Sequence, residues 1–312
     1  MNKTLTNILV ITGVLGITGA LRLSFEQKLA DDMKEAKLVP PRFDMETRAK
    51  LKQKGFAAAF GSLRPAMASF VSINAIEHFK DKEWNQLEED FTEATLLDPR
   101  NVYYWDTGSW HLATNASSDM YNKKGLSFLE REKGFREYIQ RGKDFLDRGI
   151  RTNPDNWKIH LLKGKLEANS YRLPDYKASV KTFDHILSMK GIPESDRLDV
   201  EQERLNSLIK IPSMHQEAYD AALKLYQAGE KQHFPLVLTA IIVGQNHPLN
   251  KVTYPISLRR LYKEDGKRAY KDLITYWKNK DDLEQDHGIK NSILSLESHL
   301  KVPANQRFFR KK

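Results

Sequence analysis

KDKEWNQLEEDFTEATLLDPRN, residues Lys80–Asn101, decides the fold class. Trp84, Leu87, Phe91 and Ala94 recur at helical spacing, which places them on one stripe of a helix. Leu97-Asp98-Pro99 then stops that helix, because the proline ring crowds the preceding residue out of helical geometry. The stretch reads as the second half of a helical hairpin. Gly61-Ser62 and Pro65 open the first half. Met67, Phe70, Val71, Ile73, Ile76 and Phe79 between Ala66 and Phe79 predict a buried partner helix.

The pattern returns twice. A second unit starts at Val102, with Trp105, Gly108, Ser109 and Leu112 at spacings of three, one and three. Its partner helix is expected at Gly134–Thr152, ending in Asn153-Pro154-Asp155-Asn156, with an insertion over about 116–132 between the two helices. A third unit spans Trp157–Met189. Gly164 holds a small crossing position, and Tyr176, Ser179, Phe183 and Ile186 repeat the stripe after extra residues around Pro174.

This pattern resembles the tetratricopeptide repeat (TPR), whose second helix carries an aromatic, a small residue or leucine, an aromatic, an alanine and a closing Leu-Asp-Pro-x-Asn. Two departures stand out. The first-helix motif of Trp, Leu, Gly and Tyr reads Trp105, Gly108, Ser109 and Leu112 here, so the aromatic and the small crossing residue are present and the leucine is replaced. The proline stops at Pro99 and Pro154 lie 55 residues apart, where the repeat gives about 34. The YWDTGSWHLATNA stretch, with Trp105, Trp110 and Asn115, also resembles bacterial membrane-anchored TPR-like proteins of no assigned activity. The resemblance implies an all-α chain of helical hairpin repeats, a TPR-like solenoid, preceded by a single N-terminal transmembrane helix. It implies a binding scaffold, and it supplies no activity.

Leu5 to Leu21, LTNILVITGVLGITGAL, holds no charge. Its apolar residues Leu5, Ile8, Leu9, Val10, Ile11, Val14, Leu15, Ile17 and Leu21 form the expected membrane anchor, within residues 1–25. A span needs about 20 residues, and the stretch reaches that length if Arg22 snorkels and Leu23 and Phe25 are included. The rival reading is a cleaved signal peptide, with Thr18-Gly19-Ala20 as the cleavage site. Against cleavage, Leu21, Phe25, Leu29 and Met33 continue at helical spacing. A short N-terminal tail favours a bacterial inner-membrane protein whose body lies in the periplasm. Arg22, Lys28, Lys34 and Lys37 just after the stretch favour the reverse orientation.

Residues 26–60 then read as a helical linker, broken at Pro40-Pro41, with Asp44 capping a short helix over Met45–Lys54. The repeats occupy 61–190. Residues 191–312 stay helical without the repeat. Helices are expected at 193–208, 214–228, 234–243, 255–263, 267–277 and 281–300, followed by a basic tail.

Composition narrows the chemistry. The 312 residues hold no cysteine, which excludes disulfides, thiolate metal sites and cysteine nucleophiles. Only 16 glycines and 12 prolines punctuate the chain, which favours a helical protein. Neither GxxxxGK[ST] nor GxGxxG occurs, so a phosphate cradle is not expected. The nine histidines include no HExxH and no pair at a spacing of four, so no metal site is expected. No GxSxG marks a serine nucleophile. No cofactor and no catalytic residue are expected.

The net charge is +9, and five basic groups fall in Lys301–Lys312. Arg307-Phe308-Phe309-Arg310-Lys311-Lys312 reads as a disordered end or as a contact for anionic lipid or an acidic partner. The basic, aromatic segment Pro255–Lys280 reads as an amphipathic surface, and no nucleic-acid partner is expected.

TPR proteins generally hold peptides on a concave face lined by first helices. Carried onto this chain, the groove positions are Tyr103, Asp106 and Trp110 in the second unit and Lys165 and Asn169 in the third. A protein or peptide partner is the expected ligand, in an envelope assembly, secretion or polymer-export system. A processed, soluble periplasmic binding protein is the alternative. An enzyme built on a helical scaffold ranks behind both.

Overall fold

A computed structural model describes residues 63–229, 234–280 and 286–309. Those residues form helices and connections, with no strand among them. Among them no helix is long and apolar enough to cross a membrane. The anchor stretch, the linker helices and the tail's last three residues lie outside the described residues. The chain divides after Tyr104 into two compact units.

In the first unit, α1 (Arg64–Lys80) and α2 (Trp84–Leu97) form an antiparallel hairpin. The Arg64 guanidinium at the start of α1 donates to the Leu96 carbonyl at the end of α2, at 2.9 Å. At the other end Phe79 meets the Trp84 ring edge-on at 5.8 Å. The predicted stripe is buried: Trp84, Leu87, Phe91 and Ala94 all lie in the core. Each large apolar side chain so buried contributes about 1.5–3 kcal/mol. The partner helix differs from expectation. Ala68 and Ala75 are buried, whereas Phe70 is 70% exposed and Ile73 and Ile76 are also exposed. The cause is geometric: one hairpin partner covers one face, and the apolar residues of α1 are spread around the helix instead of gathered on one stripe.

The turn after α2 uses its own side chains. The Asn101 amide donates to Asp98 at 3.2 Å, and the Asn101 side-chain oxygen accepts from the Tyr103 backbone N–H. The second proline stop is built alike, in that the Asn156 side chain accepts from the Lys158 N–H at 3.2 Å. In both turns the asparagine N–H bonds the carbonyl three residues back, Asp98 in one and Asn153 in the other. Local side-chain caps of this kind satisfy N–H groups that a helix start leaves orphaned.

The second unit runs on in chain order. α3 (Val102–Trp110) leads into a π-helical tract, His111–Ala116, and then α4 (Ser117–Tyr121). Next come α5 (Phe128–Thr152), α6 (Trp157–Ala168), α7 (Tyr176–Ser188) and α8 (Glu194–Leu208). They are followed by α9 (His215–Ala228), α10 (Pro235–Gln245) and the short α11 (Leu258–Leu261). α12 (Gly266–Asn279) and α13 (Ile289–His299) close the series. Helices pack mainly on their neighbours in chain order, and α6 with α8 and α8 with α10 pack next but one. Such nearest-neighbour packing lets each helix bury a face it could not bury alone.

The expected insertion over 116–132 is largely helix. The helical path begun by α3 does not stop near Ala116 but runs through the π tract and α4 to Tyr121, and α5 begins at Phe128. Ser127 and Glu130 form a reciprocal capping box there, so the helix starts before Gly134. The extra length is thus spent as turns on both helices, leaving only 122–127 as a connection.

Glycines set the crossings. A Cβ on Gly142 would sit 2.7 Å from the Ala113 Cβ and 2.9 Å from the Ser109 carbonyl, so α5 lies directly against the helix before it. Gly164 lets the Phe183 ring lie flat across α6, with ring carbons from 2.5 Å of where a Cβ would be. The Ser179 hydroxyl donates to the Gly164 carbonyl at 3.0 Å, which secures the same crossing.

A second core runs from Tyr176 through Leu205, Leu208, Leu225, Val237, Ile241 and Leu273 to Ile293. The tail closes onto it. Phe308 and Phe309 pack against this core, and the Trp277 ring meets Phe309 edge-on at 5.0 Å. The buried Glu297 carboxylate accepts from the Phe308 N–H at 2.6 Å and from the Tyr270 hydroxyl at 3.0 Å. The described part of the tail is therefore ordered, and its aromatics are engaged with the protein. The basic stretch over 255–263 also differs from expectation, because only Leu258–Leu261 is helical.

Three histidines make the molecule acid-sensitive. Burial lowers the pKa of His111 and of His160 below the ordinary 6.5. Burial also lowers that of His247, with further repulsion from His215, stacked on it at 3.9 Å, and His287, edge-on at 4.7 Å. Hydrogen bonding agrees in two cases. The His111 Nδ1 faces the Asn115 amide at 2.8 Å, and the His247 Nδ1 accepts from the Leu249 N–H at 3.2 Å. Below pH 6.5 the unfolded chain binds protons that the folded chain refuses. Stability is complete above that pH and falls as the pH drops below it. The melting midpoint is expected to be lower at about pH 5.5 than at about pH 7.5, and His111→Gln should narrow the gap. Equal midpoints at both pH values would contradict this assignment.

Candidate functional site

Four of the five groove positions share one concavity. Asp106, Ser109 and Trp110 on α3 and Thr114 in the π tract form one wall, and Lys165 and Leu166 on α6 with Asn169 at its C-cap form the other. Leu146 from α5 and Leu162 complete a groove of about 200 Å³. The fifth position, Tyr103, lies in the first unit. It is exposed, with its ring edge-on to Tyr104 at 5.5 Å.

The two walls are positioned by the sequence itself. Asp106 and Trp110 stand four residues apart, one above the other on the same helix face. Trp105, one position round, turns inward: it is 4% exposed and packs on Phe145 at 5.2 Å. Trp110 is 54% exposed and is not part of the core. Lys165 on α6 and Asn169 at its C-cap are also four residues apart. Gly142 brings α5 against Ser109 and Ala113, which sets the depth of the floor at Leu146.

The π tract borders the groove. Such tracts are rare and cluster at functional sites. Here the Arg172 guanidinium, from the connection between α6 and α7, holds the tract in place. It donates to the Ser118 hydroxyl at 3.0 Å and to the Thr114 carbonyl at 3.5 Å. Its charge is partly desolvated, which lowers its pKa.

The groove's charges are unevenly matched. Lys165 pairs with Glu203 on α8 at 3.3 Å. The Asp106 carboxylate is held above its ordinary pKa by burial, and the Lys165 charge opposes that shift. The Asn169 side-chain oxygen accepts from the Tyr171 N–H at 3.0 Å, which leaves its amide NH2 to donate outward.

This set suits binding through an aromatic face, a carboxylate, an amide donor and a leucine floor. Among the described residues no group of three His, Asp or Glu side chains is arranged to hold a metal ion. The sequence pointed to the walls but not to the floor. Leu146 and Leu162 carry no signal beyond ordinary helical periodicity, and Glu203 lies beyond the stretch expected to form repeats.

The chain matches no protein-family model, no curated protein and no solved structure.

Proposed function

We propose that the protein is a helical scaffold of TPR-like hairpins that binds an extended segment of a partner protein in the groove between α3 and α6. The observation that carries this reading is the meeting of Asp106, Trp110, Lys165 and Asn169 around one cleft, with the Trp110 indole exposed. An exposed tryptophan beside polar groups offers a large rigid contact, the composition typical of binding hot spots. The groove's about 200 Å³ is below the roughly 300–1,000 Å³ usual for small-ligand sites, which favours side chains of a peptide over a cofactor. The uncharged stretch Leu5–Leu21 supports a bacterial inner-membrane anchor that holds the scaffold beside an envelope assembly, secretion or polymer-export system.

The test is affinity capture of the full-length protein from gently solubilised native membranes, followed by mass spectrometry. The double substitution Asp106→Ala with Trp110→Ala is expected to lose the captured partner while helical content by circular dichroism stays unchanged. Both residues are exposed, and surface changes away from packing usually cost within about 0.5 kcal/mol. A folded double variant that captures the same proteins rejects the groove.

A further inference from the structure

We infer that the groove's ligand brings a positive charge: a lysine or arginine side chain of a peptide, seated between the Trp110 indole and the Asp106 carboxylate. This inference rests on the peptide-groove reading above and adds the chemistry of its central contact.

Among the described residues the Asp106 carboxylate makes no hydrogen bond and no ion pair within bonding distance. The Trp110 ring, also among the described residues, meets neither another ring nor a cation. The other tryptophans of the second unit are engaged: Trp105 packs on Phe145, Trp157 has the Lys158 ammonium over its ring, and Trp277 meets Phe309 and Lys280. Trp110 and Asp106 are thus a free aromatic face and a free anion, four residues apart on one helix face.

The nearby cations are committed elsewhere. Lys165 faces Asp106 across the groove, but its ammonium pairs with Glu203 at 3.3 Å. Arg172 is bound to the Ser118 hydroxyl and lies 5.9 Å over the Phe135 ring, and it does not line the groove. One ammonium thus serves two carboxylates, Asp106 and Glu203, and the three groups together carry a net negative charge.

Chemistry then selects the ligand. An acidic peptide would bring its carboxylate against Asp106. A neutral one would leave Asp106 partly desolvated without a partner, which is costly for a charged group. A cation on the indole face is attracted by the ring quadrupole and bonds the carboxylate at the same time. Arginine fits this pair better than lysine, since its planar guanidinium can stack on the indole while donating to both carboxylate oxygens. Apolar residues beside it would rest on Leu146, Leu162 and Leu166, and the Asn169 NH2 would donate to a peptide carbonyl.

The experiment pans a displayed random-peptide library on the full-length protein in detergent micelles, in parallel on wild type, Asp106→Asn and Trp110→Ala. The strongest wild-type peptide, labelled with fluorescein, is then titrated by anisotropy beside its Arg→Gln or Lys→Gln form. The expected wild-type winners carry a basic residue flanked by apolar ones. Asp106→Asn should weaken that peptide about tenfold, and so should neutralising its basic residue, with little further loss when both are changed. Winners that lack basic residues, or equal affinity for Asp106→Asn, overturn the inference. If Trp110→Ala still abolishes binding of such winners, the groove reading survives that failure. If Trp110→Ala changes nothing, or no peptide is enriched, the groove reading falls as well.

Discussion

Gly142→Val is expected to lower the stability of the second unit by about 3 kcal/mol or more. The substitution improves nothing that offsets this, although glycine inside a helix costs up to about 1 kcal/mol relative to alanine. The site decides the sign. A Cβ there would lie 2.7 Å from the Ala113 Cβ, 2.9 Å from the Ser109 carbonyl oxygen and 3.0 Å from the Ala113 nitrogen. Two of those three atoms are backbone and cannot swing away, so α5 must lift off the π tract. The same movement would widen the groove at Leu146, one turn along. Urea unfolding followed by circular dichroism measures the loss, and binding by the folded fraction reports the groove. A variant as stable as wild type would mean that the two helices do not cross at Gly142. The contrast is Gly125, where nothing lies within 4 Å of a built Cβ and only its positive φ of 85° resists substitution.

Phe183→Ala is the second large effect, at about 3–5 kcal/mol. Phe183 is fully buried and packs with Ile186, Ile192 and Val200. Its ring also lies over Gly164, whose missing side chain makes the room. The pair makes a sharper test than the single change. Gly164→Ala alone should destabilise, because its methyl would sit 2.5 Å from a ring carbon of Phe183. Added to Phe183→Ala it should instead recover part of the loss, since the methyl then enters the cavity. The two substitutions are in contact, so a coupling of about 0.5–3 kcal/mol is expected. Additive losses in a double-mutant cycle would show that the ring does not rest on Gly164.

Much of this architecture was legible in the chain, and the reasons differ from element to element. The α2 helix ends at Leu97, where Asp98-Pro99 predicts a stop, because proline acts on its immediate neighbour and needs no tertiary partner. The helices at 194–208, 215–228 and 266–279 fall within two residues of expectation, each carried by its own apolar stripe, and the last also by the Asp265 cap. The helical character of most of 116–132 was not legible, for a physical reason. The repeat pattern sets the expected length of a hairpin, and a π tract lets the chain run on as helix without keeping the α period. The Ser127–Glu130 capping box was present in the sequence and marks the true start of α5. The exposure of Phe70 and the engagement of Phe308 and Phe309 were not legible. Both depend on which faces find neighbours, a tertiary matter that periodicity leaves open.

At the groove the legible part is the part that depends on helix phase. Asp106 with Trp110 is a four-residue pair within one helix, so the two had to share a face once the helix was granted, whereas Asn169 sits just past the end of its helix at the C-cap. That the two faces meet depends on the Gly142 crossing and on the α5 floor. The pairing of Lys165 with Glu203 depends on α8, beyond the repeat.

The π tract His111–Ala116 has one more consequence. A turn that closes on the fifth residue instead of the fourth holds one residue more than its α counterpart, and the helix beyond it is rotated by about 100° relative to an uninterrupted one. The tract therefore acts as a phase shifter between two tasks on one rod. Upstream, Asp106 and Trp110 keep the azimuth that faces the cleft. Downstream, Ser117 is turned fully inward, its hydroxyl bonded to the Ala113 carbonyl at 2.6 Å. Deleting a single residue within 111–116 would restore the α period and swing everything from Ser117 to Tyr121 out of alignment, while leaving Asp106, Trp110, Lys165 and Asn169 chemically intact.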